Sequence, residues 1–235
     1  MVRLNKYLAE CGICSRREAD KYIEQGKVKV NGVQAVSGMQ VSEADFVEVA
    51  GRSIKPLAKK VVIAYNKPVG VTCTEKDKFA EKTITQALSY PVRLTYAGRL
   101  DKDSEGLMIM TNDGDLIQHM MKGSNCHEKE YVVKVHKEIT QSFCEDLGKG
   151  VYLKELDKTT RPCEVEMLGK YTFRIVLTQG LNRQIRRMCE SFGYRVTGLK
   201  RVRVVNIELG DLKTGQYREV TGEELQGLYQ LCNMR

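Results

Sequence analysis

The sequence lacks the long hydrophobic run and the leader that membrane and secreted proteins carry. None of its apolar stretches reaches the roughly 18 residues that a transmembrane helix needs. The N-terminus, MVRLNKYLAECG, contains no apolar core of a signal peptide. These absences predict a soluble, cytoplasmic protein without a membrane partner.

Apart from one CxxC pair, the sequence also lacks the motifs typical of metal sites and of hydrolase active sites. Eight cysteines are present, but only Cys11 and Cys14 stand in CxxC spacing, and no second pair of ligands completes a zinc site. The three histidines show neither metal nor triad spacing, and no GxSxG, P-loop or GxGxxG sequence occurs. We therefore expect no metal site, and cysteines that are structural thiols in a reducing compartment.

Positive charge, by contrast, is in excess. The formal net charge is +8, from 38 Lys and Arg against 30 Asp and Glu. Residues 1–60 hold 11 Lys and Arg but only 7 Asp and Glu, which makes this segment the denser positive region. Such an excess favours a polyanionic partner, although an ordinary solvated surface would show the same composition.

The first 50 residues have the pattern of two short helices and a hairpin. Apolar residues recur at helical spacing over 3–11, and Ser15–Glu18 forms a capping box that begins a second helix, which Gly26 ends. KVKVNGVQA then alternates around Asn31-Gly32, a strong hairpin signal. These elements leave seven basic side chains facing outward: Arg3, Lys6, Arg16, Arg17, Lys21, Lys27 and Lys29.

The rest of the chain predicts an α+β domain. Residues 51–60 are polar and basic and contain Pro56, which is typical of a linker. Strand-like runs then alternate with helical patterns, and because few βαβ spacings occur we predict a mainly antiparallel mixed sheet. The predicted strands lie at 61–65, 107–111, 130–135, 171–178 and 200–207, and the predicted helices near 83–89, 115–122, 140–148, 182–192 and 222–231.

One stretch, YAGRLDKDSEGLMIMTNDGDL, concentrates carboxylates in this basic chain. Asp101 lies between two cations, Arg99 and Lys102, just before an apolar strand-like run. A salt-bridged surface loop would also explain this aspartate. The other carboxylates occupy positions typical of turns and helix starts: Asp103, Glu105, Asp113 and Asp115.

Two further stretches contain candidate functional residues. QGLNRQIRRMCESFGY has helical periodicity, with Arg186 at the margin of the apolar face, where it can pair with a buried carboxylate. Arg183 and Arg187 are i, i+4 neighbours on the polar side, suited to phosphates, although an ordinary basic amphipathic helix has the same pattern. In HEKEYVVKV, Tyr131 begins an alternating strand, where it would also simply pack on the sheet.

In combination these stretches resemble a known family. RLNKYLAECGICSRREADKYIEQGKVKVNG resembles the S4 RNA-binding domain. NKPVGVTCT, AGRLDKDSEGLMIMTNDGDL, EKEYVV and QGLNRQIRRM resemble the RsuA/RluB/E/F family of pseudouridine synthases, most nearly its RluF type, and the resemblance covers roughly residues 2–231. It implies a small S4-like αα-β module over 1–50, a linker over 51–60 and a mixed-sheet catalytic domain over 61–235.

The resemblance also implies an activity and the residues that carry it. It implies isomerisation of one flipped-out uridine in 23S ribosomal RNA, with Asp101 as nucleophile or base. Tyr131 would stack on the uracil or accept a proton, and Arg186 would pair with Asp101 and orient it. The reaction has no net redox change, which implies no cofactor. The residues expected to contact RNA are Arg3, Lys6, Arg16, Arg17, Lys27, Asn31, Arg99, Arg183 and Arg187.

Other functions stay open at this point. A non-catalytic RNA-binding or ribosome-assembly protein would use the S4 module alone. A two-carboxylate nuclease or glycosidase would pair Asp101 with Asp103 or Glu105, and such a nuclease would need a divalent metal. The same isomerisation acting on a tRNA is a further alternative, and we expect a monomer in each case.

Overall fold

The computed structural model of the chain describes residues 1–57, 59–74 and 81–234, so Ala58 of the predicted linker lies outside it. The chain divides into two units. The first is formed by Met1–Val61, Tyr90–Thr95 and Asn112–Gly114, and the second by Val62–Ser89, Tyr96–Thr111 and Asp115–Arg235. No helix in the described ranges is long and apolar enough to cross a membrane.

The first unit contains the two predicted helices and the predicted hairpin. The capping box is present, because the Ser15 hydroxyl accepts from the Glu18 amide and the Glu18 carboxylate accepts from the Ser15 amide. Asn31 and Gly32 have φ of 52° and 81°, the left-handed conformation of a tight hairpin turn. Its elements are β1 (Val2–Arg3), α1 (Leu4–Glu10), α2 (Arg16–Glu24), β2 (Val28–Val30), β3 (Val33–Gln34), β4 (Gln40–Val41), β5 (Val47–Val49) and β6 (Arg52–Ile54).

The stretch predicted to be a linker contains regular structure. Strand β6 pairs antiparallel with β5, in a four-stranded sheet of order β3-β2-β5-β6. The turn between them places Ala50 and Gly51 at φ of 48° and 78°. A three-residue edge strand with two exposed side chains leaves no alternation in the sequence that would have predicted it. The predicted domain boundaries themselves stay a prediction.

The second unit is built on one nine-stranded sheet, which confirms the predicted mainly antiparallel α+β fold. Its strand order is β13-β14-β10-β15-β9-β7-β17, with β16 beside β15 and β8 beside β9. The strands are β7 (Val62–Lys67), β8 (Thr95–Ala97), β9 (Glu105–Thr111), β10 (Lys129–Val135), β13 (Glu164–Gly169), β14 (Thr172–Leu177), β15 (Val196–Val204), β16 (Ile207–Glu208) and β17 (Tyr217–Glu219), and β11 (Tyr152–Leu153) pairs separately with β12 (Lys158–Thr159).

Helices join these strands close to the predicted positions. They are α3 (Ile84–Ala87), α4 (Gly114–Met121), α5 (Gln141–Gly148), α6 (Gln184–Ser191) and α7 (Gly222–Leu231), with 3-10 turns at Gly123–Asn125 and Lys154–Leu156. The apolar face of α6 is confirmed, since Ile185, Met188 and Cys189 are buried in a core cluster that also contains Phe143 and Phe173. That packing fixes the position of the arginines on and beside this helix.

Strands β9 and β15 pair in parallel, whereas the neighbouring pairs β7–β9 and β10–β15 are antiparallel. The parallel contact requires a glycine. Gly106 has φ of +105°, and a Cβ built there would lie 2.3 Å from the carbonyl oxygen of Arg201. No side chain fits in that space. Gly106 therefore lets the strand that follows Asp101 approach the strand that carries Arg201.

We expect Gly106→Ala to lower the free energy of unfolding by at least about 2 kcal/mol, because a methyl group there forces β9 and β15 apart and strains the backbone. Denaturant unfolding measures the loss. Gly169→Ala is the matched control, since nothing lies within 4 Å of a Cβ at Gly169. It should change stability by less than about 0.5 kcal/mol. Equal losses in the two variants would contradict this account of the strand pair.

Candidate active site

A cavity of about 480 Å³ lies in the second unit. It is bordered by the GRLD loop before β9, by β10 and β15, and by the segment that leads into α6. Among the described residues that line it, Asp101 is the single carboxylate. Five lining residues are cations: Arg99, Lys102, Lys129, Arg183 and Arg201. A concave surface with this charge suits a polyanionic substrate that reacts at one acidic group.

The local fold presents Asp101 to this cavity. Leu100, just before it, is buried, and the Ser104 amide donates to the Asp101 carbonyl at 3.1 Å, which closes a turn. Gly98 has φ of +92°, a conformation that suits glycine at the entry to the loop. The carboxylate of Asp101 is 38% exposed, so it is held by the loop and still accessible.

Two aspartates and two arginines form a continuous network at the N-terminal end of α6. Arg183 Nη1 lies 3.7 Å from Asp101 Oδ2, and its two terminal nitrogens each donate to the Asp103 carboxylate at 3.2 Å. Arg186 Nη2 lies 3.2 Å from Asp103 Oδ2 and donates to the Asp103 carbonyl at 3.0 Å. The order of contacts is therefore Asp101, Arg183, Asp103, Arg186.

This network corrects two predictions. Arg186 was expected to pair with Asp101, but Arg183 is the arginine beside Asp101, and Arg186 contacts Asp103. The helical wheel misplaced Arg183 because this residue precedes the helix, as its N-cap, with φ of 50°. Asp103 is also more than a turn residue, since it bridges both arginines.

Arg186 instead fixes the position of the loop. It is 8% exposed, and its Nη1 donates to the Val196 carbonyl at 3.3 Å while Nη2 reaches Asp103. It thereby ties the aspartate loop to the start of β15. Its Nε is buried and has no hydrogen-bond partner among the described residues.

The charges of the network favour the ionised form of Asp103. Burial raises the pKa of this carboxyl, but the hydrogen bond from Arg183 and the positive charges of Arg186 and Arg183 outweigh burial, so the pKa is lowered overall. The hydrogen bond to Asp103 in turn raises the pKa of Arg183. Arg183 is thus held as a cation next to the loop that carries Asp101.

Tyr131 and Arg187 have different surroundings. Tyr131 lines the same cavity as Asp101; in the sheet it is paired with Arg201 of β15 and Ile175 of β14. Arg187 lies outside the cavity lining, where it is ion-paired with Glu155 and donates to the Asn182 carbonyl at 3.1 Å. Both of these partners belong to the protein itself and say nothing about RNA. The predicted contact of Arg187 with RNA therefore stays a prediction.

Two of the cations that line the cavity were not identified from the sequence. Arg201 is 1% exposed and donates from Nε to the Leu107 carbonyl at 2.7 Å. Lys129 donates to the His127 carbonyl at 3.1 Å, and burial, followed by the charge of Arg201, lowers its pKa. A signal existed for Lys129, which precedes Tyr131 by two residues and so shares its face of the strand.

The predicted RNA-contacting residues of the first unit are mostly exposed. Arg3, Arg16, Arg17 and Lys27 are exposed, and Lys6 is ion-paired with Glu10 at 3.6 Å.

Asn31 has a structural role in the hairpin. Its side chain donates to Asp45 and accepts from the Phe46 amide, each at 2.8 Å. Both polar atoms therefore serve the turn, and the predicted contact of Asn31 with RNA stays a prediction.

The cysteines are all free thiols. Cys11 and Cys14 are buried in the core of the first unit, and burial raises the pKa of Cys11 to about 12. No cluster of three or more His, Cys, Asp or Glu side chains within the described ranges is arranged to hold a metal ion.

Comparison with known proteins gives consistent matches over nearly the whole chain. The family model for RNA pseudouridylate synthase matches residues 61–191, and the model for the S4 domain matches residues 2–47. The dual-specificity RNA pseudouridine synthase RluF of Shigella flexneri is 48% identical over 232 residues, 98% of this chain and 79% of that protein. An uncharacterized RNA pseudouridine synthase of Aquifex aeolicus is 35% identical over 242 residues, 100% of this chain and 96% of that protein.

A solved structure is also similar. It is described as a crystal structure of pseudouridylate synthase, and it matches with a TM-score of 0.71 and 29% identity. The match covers 97% of this chain and 100% of the other. Sequence and fold therefore point to the same family.

We expect Asp103→Asn to destabilise the fold at pH 7 and not in acid. The folded-state pKa of Asp103 lies below its ordinary 3.8, so its charge stabilises the fold above that pH, and this contribution is lost as the pH falls through the lowered pKa. Because the carboxylate is 48% exposed, solvent screening limits the difference to less than about 1 kcal/mol.

Thermal unfolding of both proteins across pH measures this difference. The two melting temperatures should converge as the pH falls below 3.8 and through the lowered pKa of Asp103. Asp146→Asn is the control, because Asp146 pairs only with Lys149 among the described residues. A difference between wild type and Asp103→Asn that stays constant on acidification would show that the charge of Asp103 is not what stabilises the loop.

Proposed function

The chain belongs to the family of RNA pseudouridine synthases, and from that premise we propose that it isomerises a specific uridine of 23S ribosomal RNA at Asp101. One observation carries the proposal. Asp101 is the single carboxylate among the described residues of a cationic cavity, and a guanidinium lies 3.7 Å from it. A carboxylate held in this way can act as a nucleophile or as a base.

The reaction requires little besides that carboxylate. The bond between N1 of uracil and C1′ of the ribose is broken, the ring turns, and C5 bonds to C1′. Asp101 can act by adding to the base, by bonding to C1′, or by taking the 2′ proton. In each route Arg183 holds the carboxylate, while Arg186 holds the loop through Asp103.

The target uridine must leave the RNA stack to reach Asp101. Unstacking costs a few kcal/mol, and stacking on an aromatic ring returns about 1–3 kcal/mol per base. Tyr131 is the aromatic residue that lines the cavity near the GRLD loop, and we assign it this stacking role. Arg99 is exposed at the cavity and suits the phosphates next to the flipped nucleotide.

The S4 domain supplies RNA affinity. Its exposed arginines, Arg3, Arg16 and Arg17, lie at the start of α1 and in the first turn of α2. Cations on short rigid elements bind phosphates without specifying sequence. We propose that this domain positions the RNA and that the cavity selects the uridine.

The choice of RNA is the finer part of this proposal. Relatives that are 48% identical are named dual-specificity RNA pseudouridine synthases, which supports a second RNA substrate for this chain. We propose a tRNA as that second substrate. A two-carboxylate nuclease or glycosidase is disfavoured, because Asp103 is engaged by Arg183 and Arg186 and does not line the cavity.

We expect the wild-type protein to release tritium from 23S rRNA labelled with [5-³H]uridine, since C5 loses its proton when it bonds to C1′. Asp101→Asn should lower the release at least about 1000-fold, as loss of a reacting group does. Asp146→Asn, which removes an exposed carboxylate on α5, should leave it unchanged. Labelled tRNA forms the second arm. Release by Asp101→Asn at the wild-type rate would remove Asp101 from the reaction.

We expect the double variant Arg16→Gln/Arg17→Gln to weaken RNA binding and to lower the slope of log affinity against log salt by about one to two, because each lost phosphate contact removes about one. Filter binding over a series of salt concentrations measures the slope. Arg52→Gln, an exposed arginine of β6, is the control. An unchanged slope in the double variant would place the RNA surface elsewhere.

A further inference from the structure

Two cations, the half-buried Lys129 and the buried Arg201, line the cavity without a partner carboxylate. Lys129 and Arg201 both line it, and neither forms an ion pair with any residue in the described part of the chain. An unpaired buried charge destabilises a fold, so its retention calls for an anion that arrives from outside. Burial and the charge of Arg201 both lower the pKa of Lys129, as expected for two like charges in a poorly hydrated site.

Hydrogen bonds to backbone carbonyls hold both side chains in place. Each side chain also keeps hydrogen-bond donors that are not used on described residues. The ammonium of Lys129 uses one of its three donors on the His127 carbonyl, at 3.1 Å. Arg201 uses Nε on Leu107 and Nη2 on Gly98, at 2.7 and 3.3 Å. Its Nη1 lies 3.9 Å from where a Cβ of Gly98 would be, beside the GRLD loop, and makes no hydrogen bond within the described residues.

Strand pairing places Lys129 and Arg201 next to Tyr131, the residue on which the uracil is proposed to stack. Tyr131 is paired with Arg201 across β10 and β15, and Lys129 is two residues before Tyr131 on the same strand face. Both cations therefore flank the ring on which the uracil is proposed to stack.

Exposure separates these two cations from the others of the cavity. Arg99, Lys102 and Arg183 are exposed, whereas Lys129 is half-buried and Arg201 is 1% exposed. Phosphates of an RNA strand that stays at the surface would meet the exposed cations. A base flipped into the cavity would come closer to Lys129 and Arg201.

We propose that Lys129 and Arg201 form a base subsite that stabilises the negative charge that the uracil ring acquires during isomerisation. This inference rests on the proposed function. When the bond from N1 to C1′ breaks, its electron pair stays on the ring, which becomes a monoanion with charge on N1, O2 and O4. The sugar bonds to Asp101 at C1′, or gives its 2′ proton to Asp101 and forms a C1′–C2′ double bond.

In the second half of the reaction the new C5–C1′ bond forms and Asp101 returns to its starting state. C5 uses the ring's electron pair to bond to C1′, which displaces Asp101 or draws the proton back to C2′, and the C5 proton is then lost while N1 gains one. If Asp101 instead adds to C6, the C5–C6 π electrons move to O4 as an enolate, and the N1–C1′ bond then breaks with its electron pair left on N1. C5 bonds to C1′, loss of the C5 proton expels Asp101 from C6, and N1 gains a proton. The ring is anionic in every route and neutral when bound, so the two cations act on the transition state more than on the bound substrate.

Single-turnover tritium release at saturating RNA tests the subsite. Lys129→Met should react about 100-fold more slowly, as on loss of one donor to a developing oxyanion, with RNA affinity within about twofold of wild type. Lys129→Arg restores the charge and should recover to within about tenfold of the wild-type rate. Lys134→Met, an exposed lysine on the same strand, is the matched control and should behave as wild type.

Other results would overturn the inference. A weaker affinity for RNA, with a salt slope lowered by about one and an unchanged saturating rate, would make Lys129 a phosphate contact. Wild-type behaviour of Lys129→Met would remove it from the reaction. If Lys129→Met does not fold, Lys129→Gln takes its place in the same comparison. Failure of the proposed function is distinguishable, because wild type would then release no tritium, or Asp101→Asn would equal wild type.

Discussion

The contact of Arg183 with two aspartates is the interaction on which the candidate active site depends. Asp103 and Arg183 are 80 residues apart in the chain, and their paired hydrogen bonds join the GRLD loop to the start of α6. Arg186 extends the join from Asp103 to the Val196 carbonyl at the start of β15. A loop joined to α6 and β15 in this way can hold one carboxylate, Asp101, accessible beside a cation.

The positive charges that line the cavity differ in exposure, and this difference gives them separate proposed functions. Exposed cations such as Arg99 and Lys102 are screened by solvent and suit the attraction and placement of phosphates. Lys129 and Arg201 are poorly hydrated, so their charges act more strongly on whatever enters deepest. In this account the protein binds RNA with one set of cations and stabilises the altered base with another.

Much of the fold followed from the sequence, because local patterns fixed it. The capping box at Ser15, the Asn31-Gly32 turn and the apolar face of α6 are all short-range features, and each is present. Contacts between residues far apart in the sequence, which form only in the folded chain, were not predicted. The left-handed N-cap that swings Arg183 towards Asp101 leaves no periodic signal, and the pairing of Tyr131 with Arg201 spans strands 70 residues apart. The family resemblance pointed to Asp101, whose catalytic role stays a prediction, and it placed Arg186 beside Asp101, where the structure has Arg183.

The most direct test is the single-turnover rate of Arg183→Ala at saturating RNA. If Arg183 holds the Asp101 carboxylate, this rate should fall about 100-fold, and the fall should persist at RNA concentrations that saturate the variant. Arg195→Ala, which removes an exposed arginine outside the cavity lining, should leave the rate unchanged. A variant that binds RNA weakly but reacts at the wild-type rate once saturated would contradict the account, because Arg183 would then serve only as a phosphate contact.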